Sequence, residues 1–550
     1  MGESLNQRWS ATLVGALVAS GVREVVIAPG SRSTPLALAF AERPDLRTHS
    51  IIDERVAGFF ALGLATASGA PVAVLCTSGT AGAHLLPAII EASEGSAQLV
   101  ALTADRPWEL HDFGAAQTVE QRGLFGRFVR TAIDLPAPEE SPDVLRHVTA
   151  RVRRALAQGG CVHVNAPFRE PLAGDGPGPI IDLPSTTFTP ARAEPDVTAL
   201  VPFVQRAERG VIVCGPRARD DGFGAAVHRL GEHLGFPVLA EAASNARYGF
   251  PQSVGAYDTL WRSERFAAAM QPDLLLRFGG GLTPKTMIGL GAPVVLHVSD
   301  VGHVFDPAHA AQHVVMGDAV RACEALRAAV PLRAPSAWRA QWLGAERAVR
   351  ARLATATGWS EPLVARDLVA SLPAGTNLVL SSSMPIRDVD AFGLEAGGRL
   401  HVFSNRGVNG IDGVMSTALG VAAATGRPTT LLIGDVALLH DLGAWVAART
   451  LALPLTVVAV NNDGGGIFHF LPVAERTPHF ERLFGTPHGV DLSHVAGLAG
   501  AAYTRVESGV ALQQAVRAAK GLSLIEAVTS RTDNVAQHRT LFAQLAEVIP

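Results

Sequence analysis

The sequence predicts an α/β protein of three domains, each with a mostly parallel sheet flanked by helices. Three observations predict it. The chain has 550 residues, and at about 150 residues per domain that exceeds a single unit. Short β-branched apolar runs alternate with longer amphipathic stretches, as in strands joined by crossover helices. The strand-like runs are unbroken rather than alternating in polarity, which suits strands covered on both faces.

Taken in order, Arg23–Ala28 reads as a strand ending in Pro29-Gly30-Ser31. His49–Ile52 is strand-like and precedes Asp53-Glu54-Arg55 and an apolar helix over Val56–Ala67. Pro71–Cys76 ends in Thr77-Ser78-Gly79-Thr80, and Gln98–Leu102 ends in Thr103-Ala104-Asp105-Arg106. Ala173–Asp196 is rich in Pro and Gly without periodicity and reads as a linker. A second α/β stretch runs from Gly210–Gly215 through the strand Leu274–Phe278 to about Val330, and Pro331–Ser360 reads as a helix plus connection. The third begins near Leu363, with strands at Leu378–Leu380, Thr429–Ile433 and Leu455–Val460. The division is therefore 1–180, 195–345 and 355–550.

Composition narrows the function. Hydrophobic residues make up 48% and charged residues 17%, a globular balance rather than a disordered one. With 46 basic against 50 acidic side chains the net charge is -4, so no overall basic surface exists to release counterions from nucleic acid. Aromatics at 6% give no base-stacking platform. No apolar run reaches the roughly 18 residues of a membrane-spanning helix. The patch Ala11–Ala19 lacks a basic lead and is flanked by Glu3 and Arg8, unlike a secretory signal. Met1-Gly2 begins like an acylation signal, but position 6 is Asn. The four cysteines are widely spaced and form no zinc or disulfide pattern. A cytoplasmic protein without nucleic-acid or membrane partners is expected.

Ligands in open α/β sheets bind beyond the carboxyl ends of strands. Gly434-Asp435 follows one strand of the third domain, and Asn461-Asn462-Asp463-Gly464-Gly465-Gly466 follows another. The 26 residues between Asp435 and Asn462 suffice for a helix of about 15 residues, turns and a strand, the minimum of a parallel crossover. Both side chains then reach one sheet edge. A carboxylate and an amide oxygen form part of a hard-oxygen site of the kind magnesium uses, with phosphate and water completing the shell. The glycines let backbone approach a diphosphate and offer a carbonyl to the ion. Ordinary turn chemistry also explains each dipeptide alone; their joint placement favours the metal.

This combination resembles the thiamine diphosphate-binding signature, with Val436 where that signature usually has glycine. Further segments extend the likeness: Ala28-Pro-Gly-Ser-Arg-Ser-Thr-Pro-Leu36, Leu102-Thr-Ala-Asp-Arg-Pro107, Gly114-Ala-Ala-Gln117, Asn165-Ala-Pro-Phe-Arg-Glu-Pro-Leu172, Ser383-Met-Pro-Ile-Arg387, Ser404-Asn-Arg-Gly407 and Gly410-Ile-Asp-Gly413. In order and spacing they closely resemble the 2-succinyl-5-enolpyruvyl-6-hydroxy-3-cyclohexene-1-carboxylate synthase family of menaquinone biosynthesis. The resemblance is dense in the first and third domains and thinner between about 175 and 360. It implies a thiamine diphosphate-binding fold. It also implies decarboxylation of 2-oxoglutarate and 1,4-addition of the succinyl unit to isochorismate.

The resemblance assigns roles residue by residue. Asp435, Asn462 and the Gly464 carbonyl would hold Mg2+ or Mn2+. Glu54 would be the acid on the coenzyme's pyrimidine ring, although an acid at a helix start also compensates the helix dipole. Ser383, Ile411, Gly434, Gly464, Gly465, Ile467 and Phe468 would contact the coenzyme, with Ile411 as an apolar wedge; core packing would explain Ile411 equally. Ser31, Arg32, Arg106, Gln117, Lys285, Arg387, Arg406, Phe468 and Leu471 would meet substrates. Arg32, Gln117, Arg387 and Arg406 would share the catalytic work with Glu54. Both substrates are dicarboxylates, and arginine forks suit carboxylates. The spacing of Ile467, Phe468 and Leu471 equally fits one buried helical face. Lys285 and Lys520 are the two lysines of the chain, against 44 arginines. Thr286 stands where the family often has an arginine beside the lysine. His440 and the other histidines read as structural.

Glu54 and Asp435 lie some 380 residues apart, and in related folds these motifs meet across a subunit interface, which implies a homodimer or a dimer of dimers. Two alternatives stand beside this reading. One is another thiamine-dependent 2-keto acid carboligase, disfavoured because Gly210–Gly215 carries no GxGxxG fingerprint for a nucleotide. The other is a non-catalytic relative that binds a nucleotide or metabolite.

Overall fold

A computed structural model of the chain describes residues 4–184, 194–217, 221–300 and 303–550. It contains three sheets of six strands. The first comprises β1 (Glu24–Ile27), β2 (Arg47–Ser50), β3 (Val72–Cys76), β4 (Leu99–Asp105), β5 (Thr131–Asp134) and β6 (Val162–Pro167), in the order β2-β1-β3-β4-β6-β5. The second comprises β7 (Gly210–Cys214), β8 (Val238–Ala240), β9 (Ser253–Val254), β10 (Leu274–Phe278), β11 (Val294–Ser299) and β12 (His313–Met316), ordered β12-β11-β10-β7-β8-β9. The third comprises β13 (Asn377–Leu380), β14 (His401–Ser404), β15 (Thr429–Gly434), β16 (Leu455–Asn461), β17 (Ala502–Val506) and β18 (Ser523–Val528), ordered β14-β13-β15-β16-β18-β17. Every described strand pair is parallel.

The unbroken apolar runs are the central strands. β3, β4 and β7 are buried along their whole length. β4 is longer than its sequence suggests: Thr103, Ala104 and Asp105, which read as a turn, continue the strand because their polar atoms find buried partners. The crossover from β15 to β16 also differs from the expected single helix. It contains two helices, Asp435–His440 and Leu442–Leu451. The second opens after Asp441, whose buried carboxylate accepts hydrogen bonds from Ser416 N at 2.8 Å and Ser416 Oγ at 2.9 Å. The helix expected within Pro331–Ser360 spans Ala337–Ala354. The linker read over Ala173–Asp196 falls partly outside the described residues, at 185–193.

The described residues form two compact units. One contains the first sheet with residues 407–426 and 441–453; the other contains the second and third sheets with 427–440 and everything from 454 on. Within the first unit the helices Glu54–Ser68 and Val414–Thr425 touch backbone to backbone. A Cβ on Gly63 would stand 2.1 Å from Thr417 O, and one on Gly420 would stand 2.2 Å from Phe60 O. Neither obstacle is a movable side chain. The substitution Gly63→Ala is therefore expected to cost about 1–3 kcal/mol through overpacking, seen as a lowered melting temperature. An unchanged melting temperature would show that the helices can separate freely.

Candidate active site

Parallel register builds the site. Gly434 of β15 pairs with Val460 of β16, so Asp435 and Asn462 leave adjacent strands at the same edge. Asp435 is 2% exposed. Its Oδ2 accepts hydrogen bonds from Gly464 N at 2.9 Å and Asn462 N at 3.2 Å, and its Oδ1 accepts one from Val436 N at 2.7 Å. Asn462 donates through Nδ2 to Glu361 Oε1 at 2.7 Å. That bond fixes the amide and leaves Asn462 Oδ1 buried without a hydrogen-bond partner. A buried carbonyl oxygen with no donor carries a desolvation cost. A divalent cation beside Asp435 would remove that cost. Among the described residues no group of three or more His, Cys, Asp or Glu could hold a metal, so the donor set here is one carboxylate, one amide and backbone. Those are the hard-oxygen ligands magnesium takes.

The loop after Asn462 is held on several sides. Arg531 donates through Nη1 to Asp463 O at 2.7 Å and to Asn462 O at 3.1 Å. Asp463 Oδ1 accepts hydrogen bonds from Gly489 N at 2.8 Å and His488 N at 2.9 Å. The three glycines have a further reason beyond access to a phosphate. A Cβ on Gly464 would stand 2.0 Å from Gly485 O, on Gly465 2.4 Å from Phe484 O, and on Gly466 2.6 Å from Asn462 Nδ2. Gly464 also has φ of +140°, a conformation glycine adopts at little cost. Ile467 and Phe468 lie on a single 3-10 turn, Gly466–Phe470, which ends at Leu471. Phe468 is 36% exposed and Leu471 40%, so the reading of a buried helical face does not hold for them.

Two arginine pairs lie at strand ends, one in each unit. In the second unit, Arg387 on the helix Met384–Phe392 stands close to Arg406 just beyond β14. Burial, and then the charge of Arg406, hold its guanidinium below the usual arginine range. Arg387 donates to Ser383 O, while Arg406 Nε is buried without a partner. Asp388 and then Glu241 act on Arg387 from the acidic side, and Glu241 also feels Arg406; burial and Asp390 push the Glu241 carboxyl upward. In the first unit, Arg106 donates to Ser78 Oγ and, at 3.0 Å, to Gln117 O. Burial, and then the charge of Arg32, hold Arg106 low. Arg32 donates to Phe168 O at 2.9 Å, pairs with Glu170 at 3.1 Å and leaves Nε buried without a partner.

The remaining site residues divide by unit. Ser31 and Gln117 are exposed in the first unit, and Ile411 there is half-buried rather than core. Glu54 opens the helix Glu54–Ser68, half-buried, and among the described residues its carboxylate has no side-chain hydrogen bond. Lys285, exposed, and Ser383 belong to the second unit with Gly434. Gln117 and Ser383 both have positive φ, at 56° and 72°. With ψ of -132°, Ser383 occupies a region where only glycine is comfortable.

Family models for thiamine pyrophosphate enzymes match in sequence along the chain. The N-terminal TPP binding domain matches residues 7–124, the middle domain 191–380 and the C-terminal TPP binding domain 392–527. A curated protein of Myxococcus xanthus named 2-succinyl-5-enolpyruvyl-6-hydroxy-3-cyclohexene-1-carboxylate synthase is 52% identical, covering 99% of this chain and 98% of its own. The chain belongs to the 2-succinyl-5-enolpyruvyl-6-hydroxy-3-cyclohexene-1-carboxylate synthase family. Members of that synthase family from Chloroflexus aurantiacus and Geobacillus kaustophilus are 42% and 41% identical, each over 98% of this chain and covering 96% and 98% of their own.

Several residues of this synthase-family site escaped sequence reasoning. Glu361, Arg531 and Glu241 reach the site from distant elements, and no local motif marks them. His488, read as structural with the other histidines, stands 3.2 Å from Asp435 Oδ2, and that bond raises its pKa. Among the described residues His440 makes no hydrogen bond to the site. The backbone at Ser383 supplies a test. Ser383→Gly is expected to raise stability by about 1 kcal/mol, by relieving strain, read from a denaturant midpoint. A lower midpoint would show that the hydroxyl, not the backbone, dominates there.

Proposed function

We propose that the chain is a thiamine diphosphate-dependent transferase. It would decarboxylate 2-oxoglutarate and add the succinyl unit to isochorismate in a 1,4 fashion, releasing carbon dioxide and 2-succinyl-5-enolpyruvyl-6-hydroxy-3-cyclohexene-1-carboxylate in menaquinone biosynthesis. The observation that carries this reading is the buried, donorless Asn462 Oδ1 beside Asp435. It is an oxygen site oriented for an ion before any ion arrives. Asp435, Asn462 and the Gly464 carbonyl would hold Mg2+ or Mn2+, and Gly434 and Gly465 would leave room for the diphosphate. When bound, thiamine diphosphate supplies the nucleophilic carbon and the electron sink for decarboxylation.

The protein's own groups do the rest. Among the described residues Glu54 has no competing side-chain hydrogen bond, so its carboxyl would be available to hold the proton on the pyrimidine ring. Ile411 and Ile467, with Ser383 and Phe468, would shape the coenzyme pocket. Each substrate carries two carboxylates, and the two arginine pairs offer two matching sites: Arg32 with Arg106, and Arg387 with Arg406. Like charges held close without a full set of counter-ions are preorganised for an arriving anion. Ser31, Gln117, Lys285 and Leu471 would complete the substrate contacts. By this reading 1–180 binds the pyrimidine, 355–550 binds the diphosphate and metal, and 195–345 contributes Lys285. The working form would be a homodimer or a dimer of dimers. Ile52, two residues before Glu54, is 70% exposed and offers an apolar contact for a partner subunit. Among the described residues no helix is long and apolar enough to cross a membrane, and we place the enzyme in the cytoplasm.

Purified protein with thiamine diphosphate, Mg2+, 2-oxoglutarate and isochorismate should release carbon dioxide and form the adduct; pyruvate used in preference would point to a different carboligase. Glu54→Ala should bind coenzyme yet lose most turnover. Glu361→Ala should raise the Mg2+ concentration for half-maximal coenzyme binding by about tenfold, because the Asn462 amide loses its orienting partner. Unaltered Mg2+ dependence would remove Glu361 from the account.

A further inference from the structure

Lys285 sits in a loop that two carboxylates hold from either side. The loop leaves β10 at Gly279, whose φ is +76°, and Gly280 N donates to Pro216 O at 3.0 Å. Two residues before the lysine, Thr283 binds Glu241 twice: Thr283 Oγ1 donates to Oε1 at 2.5 Å and Thr283 N to Oε2 at 3.1 Å. One residue after it, Thr286 Oγ1 donates to Asp258 Oδ1. Glu241 is 0% exposed and Asp258 4%. Asp258 is itself tied to Arg262 Nε at 3.1 Å. Lys285 between the two ties is exposed and has no hydrogen bond among the described residues. Glu241 also lies within the field of Arg406 and Arg387.

We propose that Glu241 and Asp258 are positioning residues, which through Thr283 and Thr286 fix the loop so that Lys285 joins Arg387 and Arg406 in one site for a substrate carboxylate. Thr286 serves by locking the loop, so the middle domain supplies one cation there. The inference rests on the reading of Lys285 as a substrate group. A lysine on a loop free to wander would lose rotational and translational freedom at each binding event, and small misplacements of positioned groups are costly.

The test uses the scarcity of lysine. Lys285 and Lys520 are the chain's two lysines, so acetylation by an amine-directed reagent, followed site by site by mass spectrometry, reports on Lys285 with exposed Lys520 as internal control. In the wild-type holoenzyme 2-oxoglutarate should slow acetylation of Lys285 and leave Lys520 unchanged. Thr283→Val and Thr286→Val keep side-chain shape and should raise the half-protecting concentration about tenfold each. KM for 2-oxoglutarate should rise in parallel, while kcat stays near wild type; Thr283→Val should also lower the melting temperature, because it leaves a buried Glu241 oxygen without its hydroxyl donor. Thr283→Ser, which keeps the hydroxyl, should restore protection. Variants protected at the wild-type concentration would overturn the positioning role alone. A wild-type enzyme that is active but leaves Lys285 unprotected would overturn the inference and keep the synthase reading. A wild type with neither protection nor turnover would overturn both.

Discussion

The site depends on how one buried carboxylate is held. Asp435 accepts three backbone N–H groups, from Val436, Asn462 and Gly464. These bonds fasten the end of β15 to the loop that follows β16. They also set the orientation of everything downstream: the Asn462 amide, the φ of Gly464 and the approach of the Phe484–Gly485 backbone to the glycine run. Parallel neighbours in register make this possible, because both strands then end at the same edge. Backbone donors on both oxygens hold that carboxylate in one orientation at the shared edge.

The second constraint is electrostatic. A chain with net charge -4 has no general attraction for dicarboxylates. It must concentrate positive charge where it is needed. The structure places like charges side by side, Arg32 with Arg106 and Arg387 with Arg406, in partly buried positions. Such pairs oppose folding unless other contacts offset them. Here backbone carbonyls at Phe168, Gln117 and Ser383 and the acids Glu170 and Glu241 supply that offset. The strained backbone at Gln117 and Ser383 lies next to these same arginines. Strain at such positions persists only where the surrounding structure over-determines it.

Much of this was legible in the sequence for a physical reason. Parallel strands buried on both faces must be apolar throughout, so β3, β7, β10 and β16 stand out as short runs. Chemistry gathers at their carboxyl ends, so the turns that follow are easily found. The ends of β4 were harder, because Thr103 and Asp105 look like turn residues until His163 and Asn165 are seen to satisfy them across the sheet. The two-helix crossover was hidden for the same reason: the Asp441 break is set by Ser416 on another helix. The supporting residues were the least legible. Glu361 lies 101 positions from Asn462, and Glu241 lies 42 from Thr283. Pairings of that range leave no trace in local pattern. Nothing among the neighbours of His488 points to Asp435, 53 positions away.

The most direct test of the account is calorimetric titration of thiamine diphosphate into the apoprotein, with and without Mg2+, for wild type and for Asn462→Ala. The account predicts binding to wild type that requires Mg2+, and a loss of affinity on the order of tenfold or more when the amide is removed. Equal affinity with and without the ion, or an Asn462→Ala protein that binds as wild type does, would contradict the claim that these two strand ends hold the metal.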